Sequence, residues 1–451
     1  MSIDCRQFLV ALLIINLFSL TNISYAQGPK IVRFLHNETD PPSLAFFTKS
    51  IAEFEKLNPN IKIEMESVST DGRLQKVTAS INAKTMPEVF KILTEERMQF
   101  ARKGYLIPLD KLISNIGEND YLDGVVDRID GKVYDVPYTL NNFSILWYRD
   151  DLLKSSKVNP PKNWNELLFA AQTLNKDGIN GFIFPAGQNR AASLYFAALV
   201  WSAGGSFFDK NLKITFNSPA TIAALKFLKD MSAFSSKGIA SYSYADMANG
   251  YLSGKIAFSL FSPRVISTGY DNVPTIASKT KGISMPIGPS GRGVKFISPN
   301  SFAIASPAVG AKNTEEAIKF LQYIVSGERL RDLSLTQFPH MIPPLKSVQK
   351  MVLISAQNKL GGGSNPIEMG KLSFDISNGL NFEDEAGHSW VNGKLSRTGI
   401  DNPYIGPIVA RHIPAQVVQK VLVNGDSPEA AAAWGAHEMQ KIVDDLNRFS
   451  K

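Results

Sequence analysis

Strand and helix patterns alternate through the first part of the chain, and this alternation constrains the fold more than any other feature. Lys30–Leu35 is predicted to be a strand, and a helix with Ser43 as its N-cap follows it and ends at Asn58-Pro59. Apolar and charged residues then alternate through Ile61–Glu66, as in a half-buried strand, and Pro87–Leu93 is another short apolar strand. This order predicts βαβ units and a largely parallel α/β sheet, in which ligands bind beyond the carboxyl ends of the strands.

The pattern starts again near residue 137 and continues to the end of the chain. Further strands are predicted at Ser144–Tyr148 and Lys255–Leu260. Asn313 and Glu316 have the spacing of a capping box. A flexible loop is predicted at Gly361–Ser364. The predicted helices are Trp164–Leu174, Ala191–Ala203, one opened by Ser218-Pro219, Asn313–Val325, and one from Ser427-Pro428 to Leu446.

The N-terminal segment has the pattern of an export signal. Phe8–Leu20 is a mostly apolar stretch of 13 residues, shorter than the roughly 20 that a membrane-spanning helix needs. Small residues at Ser24 and Ala26 predict cleavage after Ala26, so residues 1–26 are interpreted as a signal peptide and the protein as periplasmic. The alternative is a frayed apolar N-terminus on a cytosolic protein. No later segment reaches 18 uninterrupted apolar residues, so the rest of the chain is not expected to span a membrane.

Composition excludes several classes of protein. The net charge is +7, but the basic residues are scattered without long blocks, which argues against a nucleic-acid partner. The single cysteine, Cys5, lies within the predicted signal, so the mature chain of 425 residues has no disulfide framework. The five histidines are dispersed, with no pair at metal-ligand spacing. The sequence therefore predicts no cofactor and no metal site.

Catalytic motifs are also missing from the sequence. There is no HExxH, Walker A, GxSxG or GxGxxG pattern, and the glycine-rich Gly288–Gly293 lacks the Lys-Ser/Thr of a phosphate-binding loop. Carboxylates adjoin at Glu95-Glu96 and Glu383–Glu385, but adjacent carboxylates do not face each other as a glycosidase pair must. The protein is therefore not expected to be an enzyme.

An ordered series of seven segments resembles one known family. The first three are IAEFEKLNPNIKIE (Ile51–Glu64), PEVFKILTEERMQFARKGYLIPLD (Pro87–Asp110) and GKVYDVPYTLNNFSILWYRDDLL (Gly131–Leu153). WSAGGSFFD, GKIAFSLFSP, NSFAIASP and NTEEAIKFLQYIVSGE follow in the same order as in that family. Together they resemble the sugar-type extracellular solute-binding proteins of ABC importers (solute-binding family 1, maltose-binding-protein-like), over nearly the whole mature chain.

The resemblance implies a periplasmic binding protein fold of two α/β lobes that close on a ligand. By that pattern the N-terminal lobe is 27–138 plus 290–340, and the C-terminal lobe is 139–289 plus 341–451. The sequence has Pro- and Gly-rich breaks suited to crossings between lobes at Val136–Tyr138, Pro286–Gly293 and Pro339–Pro344. The lobes are therefore expected to be interleaved rather than consecutive.

The resemblance also places candidate ligand-binding residues on loops and crossings. Carboxylates and amides suit sugar hydroxyls because they form paired hydrogen bonds. Some candidates have a structural alternative: Asp40 in a solvated turn, Thr94 as a helix cap, Tyr138 as a core side chain. Asn189, next to Gln188, is a further candidate, and Ser298 lies with Asn300 and Ser301 on the return crossing. The predicted set is Glu38, Thr39, Asp40, Thr94, Glu95, Tyr138, Asn141, Gln188, Arg190, Arg264, Asn300, Ser301 and Arg411.

Three arginines in this set raise the question of ligand charge. Arg264 stands where the maltose-binding branch has an aromatic residue, and Arg411 aligns loosely with another. A guanidinium stacks on flat groups and also pairs with carboxylate or phosphate. If Arg190, Arg264 and Arg411 converge on one cleft, the ligand is expected to be anionic or highly polar and small, such as a sugar acid, a sugar phosphate or a glycerol phosphate-like compound. The alternative is that they are ordinary surface arginines.

The resulting hypothesis is a monomeric receptor that captures a carbohydrate or polyol derivative and delivers it to the transmembrane permease subunits of an ABC importer. Closure on a ligand that contacts both lobes would stabilise the closed form. The alternative from another class is a secreted glycan-acting enzyme or a lectin-like carbohydrate-binding protein. Turnover of a glycan, rather than stoichiometric binding, would distinguish the enzyme.

Overall fold

The computed structural model of the protein describes residues 28–360, 365–375, 379, 389–391, 394–396 and 402–449. The predicted signal peptide, the loop Gly361–Ser364 and the carboxylates Glu383–Glu385 lie outside these residues. Among the helices in the described ranges, none is both long enough and apolar enough to cross a membrane.

Two sheets organise the chain, and the strands of the first come from separated stretches of sequence. The first sheet has the order β2-β1-β3-β9-β4, and the second has the order β6-β7-β5-β8. The strands are β1 Lys30–His36, β2 Ile61–Ser67, β3 Val89–Leu93, β4 Val136–Asn142, β5 Ile145–Arg149, β6 Asn180–Ile183, β7 Ile256–Leu260, β8 Thr280–Ser284 and β9 Ile297–Ile304, with a small hairpin of β10 Ser389–Val391 and β11 Lys394–Ser396.

Strand direction is only partly as predicted. β1 pairs in parallel with β2 and β3, as the βαβ pattern indicates. β9 is antiparallel to both β3 and β4, and β5 is antiparallel to β7 and β8. The prediction of largely parallel sheets is therefore wrong for these strands. The physical reason is that β4 and β9 are the segments that pass to and from the second sheet, so they do not follow the local strand–helix–strand path.

Helices cover both sheets and account for most of the remaining described chain. In chain order they are α1 Pro41–Leu57, α2 Thr70–Asn82, α3 Thr94–Arg102, α4 Asp110–Ile116, α5 Asp150–Ser155, α6 Trp164–Leu174, α7 Arg190–Ser202, α8 Pro219–Ser232, α9 Tyr244–Leu252, α10 Arg264–Asn272, α11 Pro274–Ala277, α12 Thr314–Ile324, α13 Gly327–Leu335, α14 Lys346–Leu360, α15 Asn365–Phe374, α16 Ile405–Ala410, α17 Ile413–Leu422 and α18 Pro428–Phe449. Short 3-10 turns lie at Glu118–Asp120, Ile239–Ser241 and Pro307–Val309.

Each sheet has its own core, and the first sheet is covered on both faces. Alternate residues of β1 point to opposite faces, so Phe34 joins one apolar cluster and Leu35 joins another. The second sheet packs into a single large cluster that includes Trp147 and most of the buried helix α7. Burial of α7 on nearly every side agrees with its apolar sequence.

The stretch after residue 340 packs differently from the predicted lobe division. Ile342, Leu345, Val348 and Val352 lie in the core of the first sheet, not the second. The reason is that the segment around Ile342 pairs with β4, which holds it and the start of α14 against the first lobe. The predicted crossing at Pro339–Pro344 is therefore misplaced.

Two helix caps also differ from the sequence prediction. Asp40, not Ser43, caps α1: its side chain accepts the backbone N–H of Ser43, and the two prolines occupy the first turn. At α12 the capping box is not formed. Asn313 donates instead to the carbonyl of Ile31, and Glu316 pairs with Lys30. At α1 the side chain of Asp40 is better placed than that of Ser43. At α12 partners distant in the sequence replace the local capping contacts.

Candidate functional site

A cavity of about 360 Å³ lies between the two lobes, within the size range of small-molecule sites. The first lobe provides the residues after β1, two residues of β3, and parts of β4 and β9, while the second provides the starts of α7, α9 and α10. The lining residues are Asn37, Glu38, Thr39, Asp40, Lys91, Leu93, Thr139, Asn141, Phe143, Asn189, Arg190, Ala191, Leu194, Ser243, Tyr244, Ala245, Ala248, Arg264, Asn300, His340 and Met341.

Glu38 is held in a buried charge pair at the floor of the cavity. Lys91 Nζ lies 3.2 Å from Glu38 Oε1, and the hydroxyl of Tyr138 donates to the same oxygen. The ammonium of Lys91 also lies 5.5 Å from the centre of the Tyr138 ring. Burial alone would raise the pKa of Glu38, but Lys91 and Tyr138 outweigh burial and lower that pKa to about 2. Glu38 is therefore ionised and already partnered.

Arg190 joins the two lobes at the cavity wall. Asn189 caps α7 and so places Arg190 on its first turn. The Arg190 guanidinium contacts both carboxylate oxygens of Glu95 on α3, one of them at 3.1 Å, and donates to Ser298 Oγ of β9 at 3.2 Å. Burial opposes ionisation of Glu95, yet Arg190 lowers the pKa of that carboxyl. This bidentate pair connects α3 of the first lobe to α7 of the second.

A second polar bridge runs through Gln337. Arg264 on α10 donates to Gln337 Oε1 at 2.6 Å, and the Gln337 amide donates to Asp40. One carboxylate oxygen of Asp40 therefore caps α1, and the other accepts the hydrogen bond of this bridge. Among the described residues, no carboxylate lies within ion-pair distance of Arg264.

The structure brings seven of the thirteen predicted residues together at the cavity. They are Glu38, Thr39, Asp40, Asn141, Arg190, Arg264 and Asn300. Glu95 and Tyr138 do not line it but hold lining residues in place, through Arg190 and Glu38. Thr94 donates to the carbonyl of Pro299 at 3.3 Å and is neither a cavity residue nor the cap of α3, whose N-cap is Leu93.

Three predicted residues lie away from the cavity for identifiable reasons. Ser301 follows Asn300 on β9, and successive strand residues point to opposite faces, so both cannot face the cavity. Gln188 is exposed before α7, where Asn189 takes the capping position. Arg411 is exposed at the end of α16. The predicted convergence of three arginines therefore fails at Arg411.

Several lining residues were not predicted from the sequence. Lys91 is a lysine within an otherwise apolar, fully buried strand, a signal that such a residue needs a carboxylate partner. Thr139 alternates with the predicted Asn141 along β4, so strand periodicity points to it as well. Tyr244 and His340 carry no comparable local signal, because their position depends on how distant segments pack.

The described residues contain no group of three or more histidine, cysteine or carboxylate side chains arranged to hold a metal ion. The polar groups that line the cavity are instead suited to hydrogen bonding. Burial, together with the nearby Arg264, lowers the pKa of His340 to about 3, so this imidazole is neutral at physiological pH.

Acid is expected to destabilise the protein partly through His340. In the unfolded chain the imidazole regains a pKa near 6.5, so below pH 6.5 the unfolded state binds a proton that the folded state excludes until about pH 3. Stability therefore falls as the pH drops below 6.5. A His340→Gln variant should lose less stability than the wild type between pH 6.5 and about pH 4.5, by at most about 3 kcal/mol. Urea unfolding at both pH values measures this, and equal losses in the two proteins would contradict it.

Comparison with known proteins identifies the family. The family model of the bacterial extracellular solute-binding protein matches residues 39–328, more than half of the chain. The chain belongs to this family. The resemblance that the seven sequence segments carry is thereby confirmed.

Relatives of this solute-binding protein agree with the assignment. Escherichia coli YcjN, whose name describes a periplasmic-binding protein of an ABC transporter, is 28% identical over 255 residues, which cover 53% of this chain and 57% of YcjN. The structure of T. maritima MalE3 with bound maltose has a TM-score of 0.75 at 20% identity and covers 91% of this chain and 99% of its own. An Agrobacterium radiobacter K84 solute-binding protein in complex with ribitol has a TM-score of 0.75 at 18% identity and covers 92% and 99%. These structural likenesses establish the two-lobed fold.

Proposed function

We propose that this solute-binding protein is a periplasmic receptor that captures a carbohydrate or polyol derivative in its inter-lobe cavity and delivers it to the permease of an ABC importer. The observation that carries the proposal is the Arg190–Glu95 pair, which joins the two lobes at the wall of the cavity. A ligand in this cavity contacts both lobes at once. Its binding energy therefore favours the state in which the lobes are together, which is the state that a permease would recognise.

The chemistry of the cavity supports a hydroxyl-rich ligand. Carboxylate, amide and hydroxyl groups line it together with the aromatic side chains of Phe143 and Tyr244. Sugars and polyols present hydroxyls to such groups and apolar C–H faces to aromatic rings. The structurally similar proteins named above bind maltose and ribitol, and export through the predicted signal peptide would place the receptor outside the cytoplasm.

An anionic derivative, such as a sugar acid or a sugar phosphate, is the second candidate. One observation favours it: the guanidinium of Arg264 lines the cavity and, within the described part of the chain, has an amide but no carboxylate as its partner. Arg190 does not add to this argument because Glu95 already neutralises it. The anionic candidate therefore depends on Arg264 alone.

A thermal-shift experiment on the protein purified after export tests the function. The panel contains maltose, ribitol, D-sorbitol, D-gluconate and glycerol 3-phosphate. A ligand present at a hundred times its Kd stabilises the folded state by about 2.7 kcal/mol, which raises the melting temperature by several degrees. We expect at least one hydroxyl-rich compound to bind with a stoichiometry of one and without turnover. Hydrolysis of a glycan would instead support the alternative, a secreted enzyme.

A further inference from the structure

The charged side chains around the cavity balance one another. Three cationic and three anionic groups contribute: Lys91, Arg190 and Arg264 against Glu38, Glu95 and Asp40. Lys91 is paired with Glu38, and Arg190 with Glu95, while Gln337 links the other two. An anionic ligand would gain the attraction of Arg264 but would also face the carboxylate of Asp40, which has an amide and no cation as its partner among the described residues.

Neutral polar groups, in contrast, retain unused hydrogen-bonding capacity. Thr139 is 3% exposed and His340 is 7% exposed, and within the described chain neither the Thr139 hydroxyl nor His340 Nδ1 has a hydrogen-bond partner. The side-chain amides of Asn141 and Asn300 likewise make no hydrogen bond to any described residue, and Asn300 is 5% exposed. Buried polar groups in native proteins are satisfied by protein, water or ligand.

Strand register places these side chains side by side, and we call the four of them the neutral row: Thr139, Asn141, Asn300 and His340. Thr139 lies opposite Asn300 in the β4–β9 pairing, so their side chains are on one face of the sheet. Asn141 is two residues along β4, on that same face. The segment that carries His340 runs beside β4, where the backbone N–H of Leu140 donates to the carbonyl of Ile342 at 2.8 Å. All four line the cavity.

The chemistry of the row matches vicinal hydroxyl groups. Each carboxamide presents a donor and an acceptor close together, and a neutral imidazole and a hydroxyl both donate and accept. Adjacent hydroxyls on a polyol or sugar offer the complementary pair. An ionised carboxylate or phosphate group accepts only, so where such a group replaces a ligand hydroxyl it would leave acceptor oxygens of the row without donors.

We infer that the neutral row determines specificity by selecting an uncharged polyhydroxylated ligand over the corresponding acid. This inference rests on the proposed function and narrows its ligand class to the neutral members. The charged residues then set the shape and closure of the cavity rather than the charge of the ligand.

Paired ligands and paired variants test the inference. D-Sorbitol and D-gluconate share a carbon chain and differ at one end, alcohol against carboxylate. Isothermal titration calorimetry measures the affinity of the wild type for both compounds and for maltose, ribitol and glycerol 3-phosphate. We expect a neutral compound to bind more tightly than D-gluconate or glycerol 3-phosphate. For that compound, Thr139→Val should weaken binding about three- to tenfold, as the loss of one hydrogen bond implies. Thr139→Ser, which restores the hydroxyl, should bind nearly as well as the wild type.

A matched control separates a lost contact from a disturbed fold. Ser259 is another buried hydroxyl without a partner among the described residues, but it lies on β7 and does not line the cavity. Ser259→Ala should leave affinity unchanged. If the wild type binds D-gluconate or glycerol 3-phosphate more tightly than the neutral compounds, the specificity role of the neutral row is overturned, while the proposed receptor function stands. Equal affinity in Thr139→Val and the wild type would also overturn it, whereas binding of no member of the panel would count against both proposals.

Discussion

Replacing Lys91 by methionine is expected to reduce the free energy of unfolding by about 3–5 kcal/mol, because it leaves the Glu38 carboxylate buried without its cation. Lys91 and Glu38 are both deeply buried, with side chains 5% and 11% exposed. Methionine has a similar volume and flexibility, so the loss of charge rather than a cavity dominates. Urea unfolding monitored by circular dichroism measures the change.

A surface pair and a double variant make this result interpretable. Lys154 pairs with Asp150, but its side chain is 73% exposed, so Lys154→Met is expected to cost less than about 1 kcal/mol. Adding Glu38→Gln to Lys91→Met removes the unpaired charge and should restore part of the stability. If Lys91→Met behaves like the surface control, the pair does not hold the cavity floor as described.

Local patterns in the sequence predicted those parts of the fold that depend on neighbouring residues. The helix Trp164–Leu174 has the predicted bounds, and Ser218 caps α8 as expected, since hydrophobic periodicity and caps act over a few residues. Strand order and direction depend on the whole chain instead. Nothing near β9 in the sequence indicates that it lies between β3 and β4 and runs against both.

The candidate site shows the same division between local and distant determinants. Glu38 and Asp40, in the loop directly after β1, were predicted from the family resemblance, and the strand end that precedes this loop is visible in the sequence. His340 reaches the cavity only because its segment pairs with β4, some 200 residues earlier in the chain. Arg190 lines the cavity, but its neutralisation by Glu95 is a property of the packed lobes that no spacing indicates.

A single added methyl group at Gly406 is expected to impair ligand binding without weakening the fold. Gly406 lies on α16, whose apolar residues belong to the core of the second lobe, and it faces α3 of the first lobe. A Cβ at this position would overlap the Glu95 carbonyl oxygen and lie 3.0 Å from its carbonyl carbon, so the lobes must separate there. Alanine is the better helix former by up to about 1 kcal/mol, and thus the free energy of unfolding should stay the same or rise.

The affinity for the ligand, in contrast, should decrease in Gly406→Ala. Strain of about 1–3 kcal/mol in the closed arrangement lowers affinity by about five- to 150-fold, because closing the lobes must now overcome it. Calorimetry with the ligand found for the wild type measures the affinity, and small-angle X-ray scattering at saturating ligand should show a larger radius of gyration in Gly406→Ala. Gly293→Ala is the matched control, since no atom lies within 4 Å of its added Cβ. Wild-type affinity in Gly406→Ala would mean that contact between α3 and α16 is not part of the ligand-bound state, and the Arg190–Glu95 pair beside it could then no longer be assigned to closure.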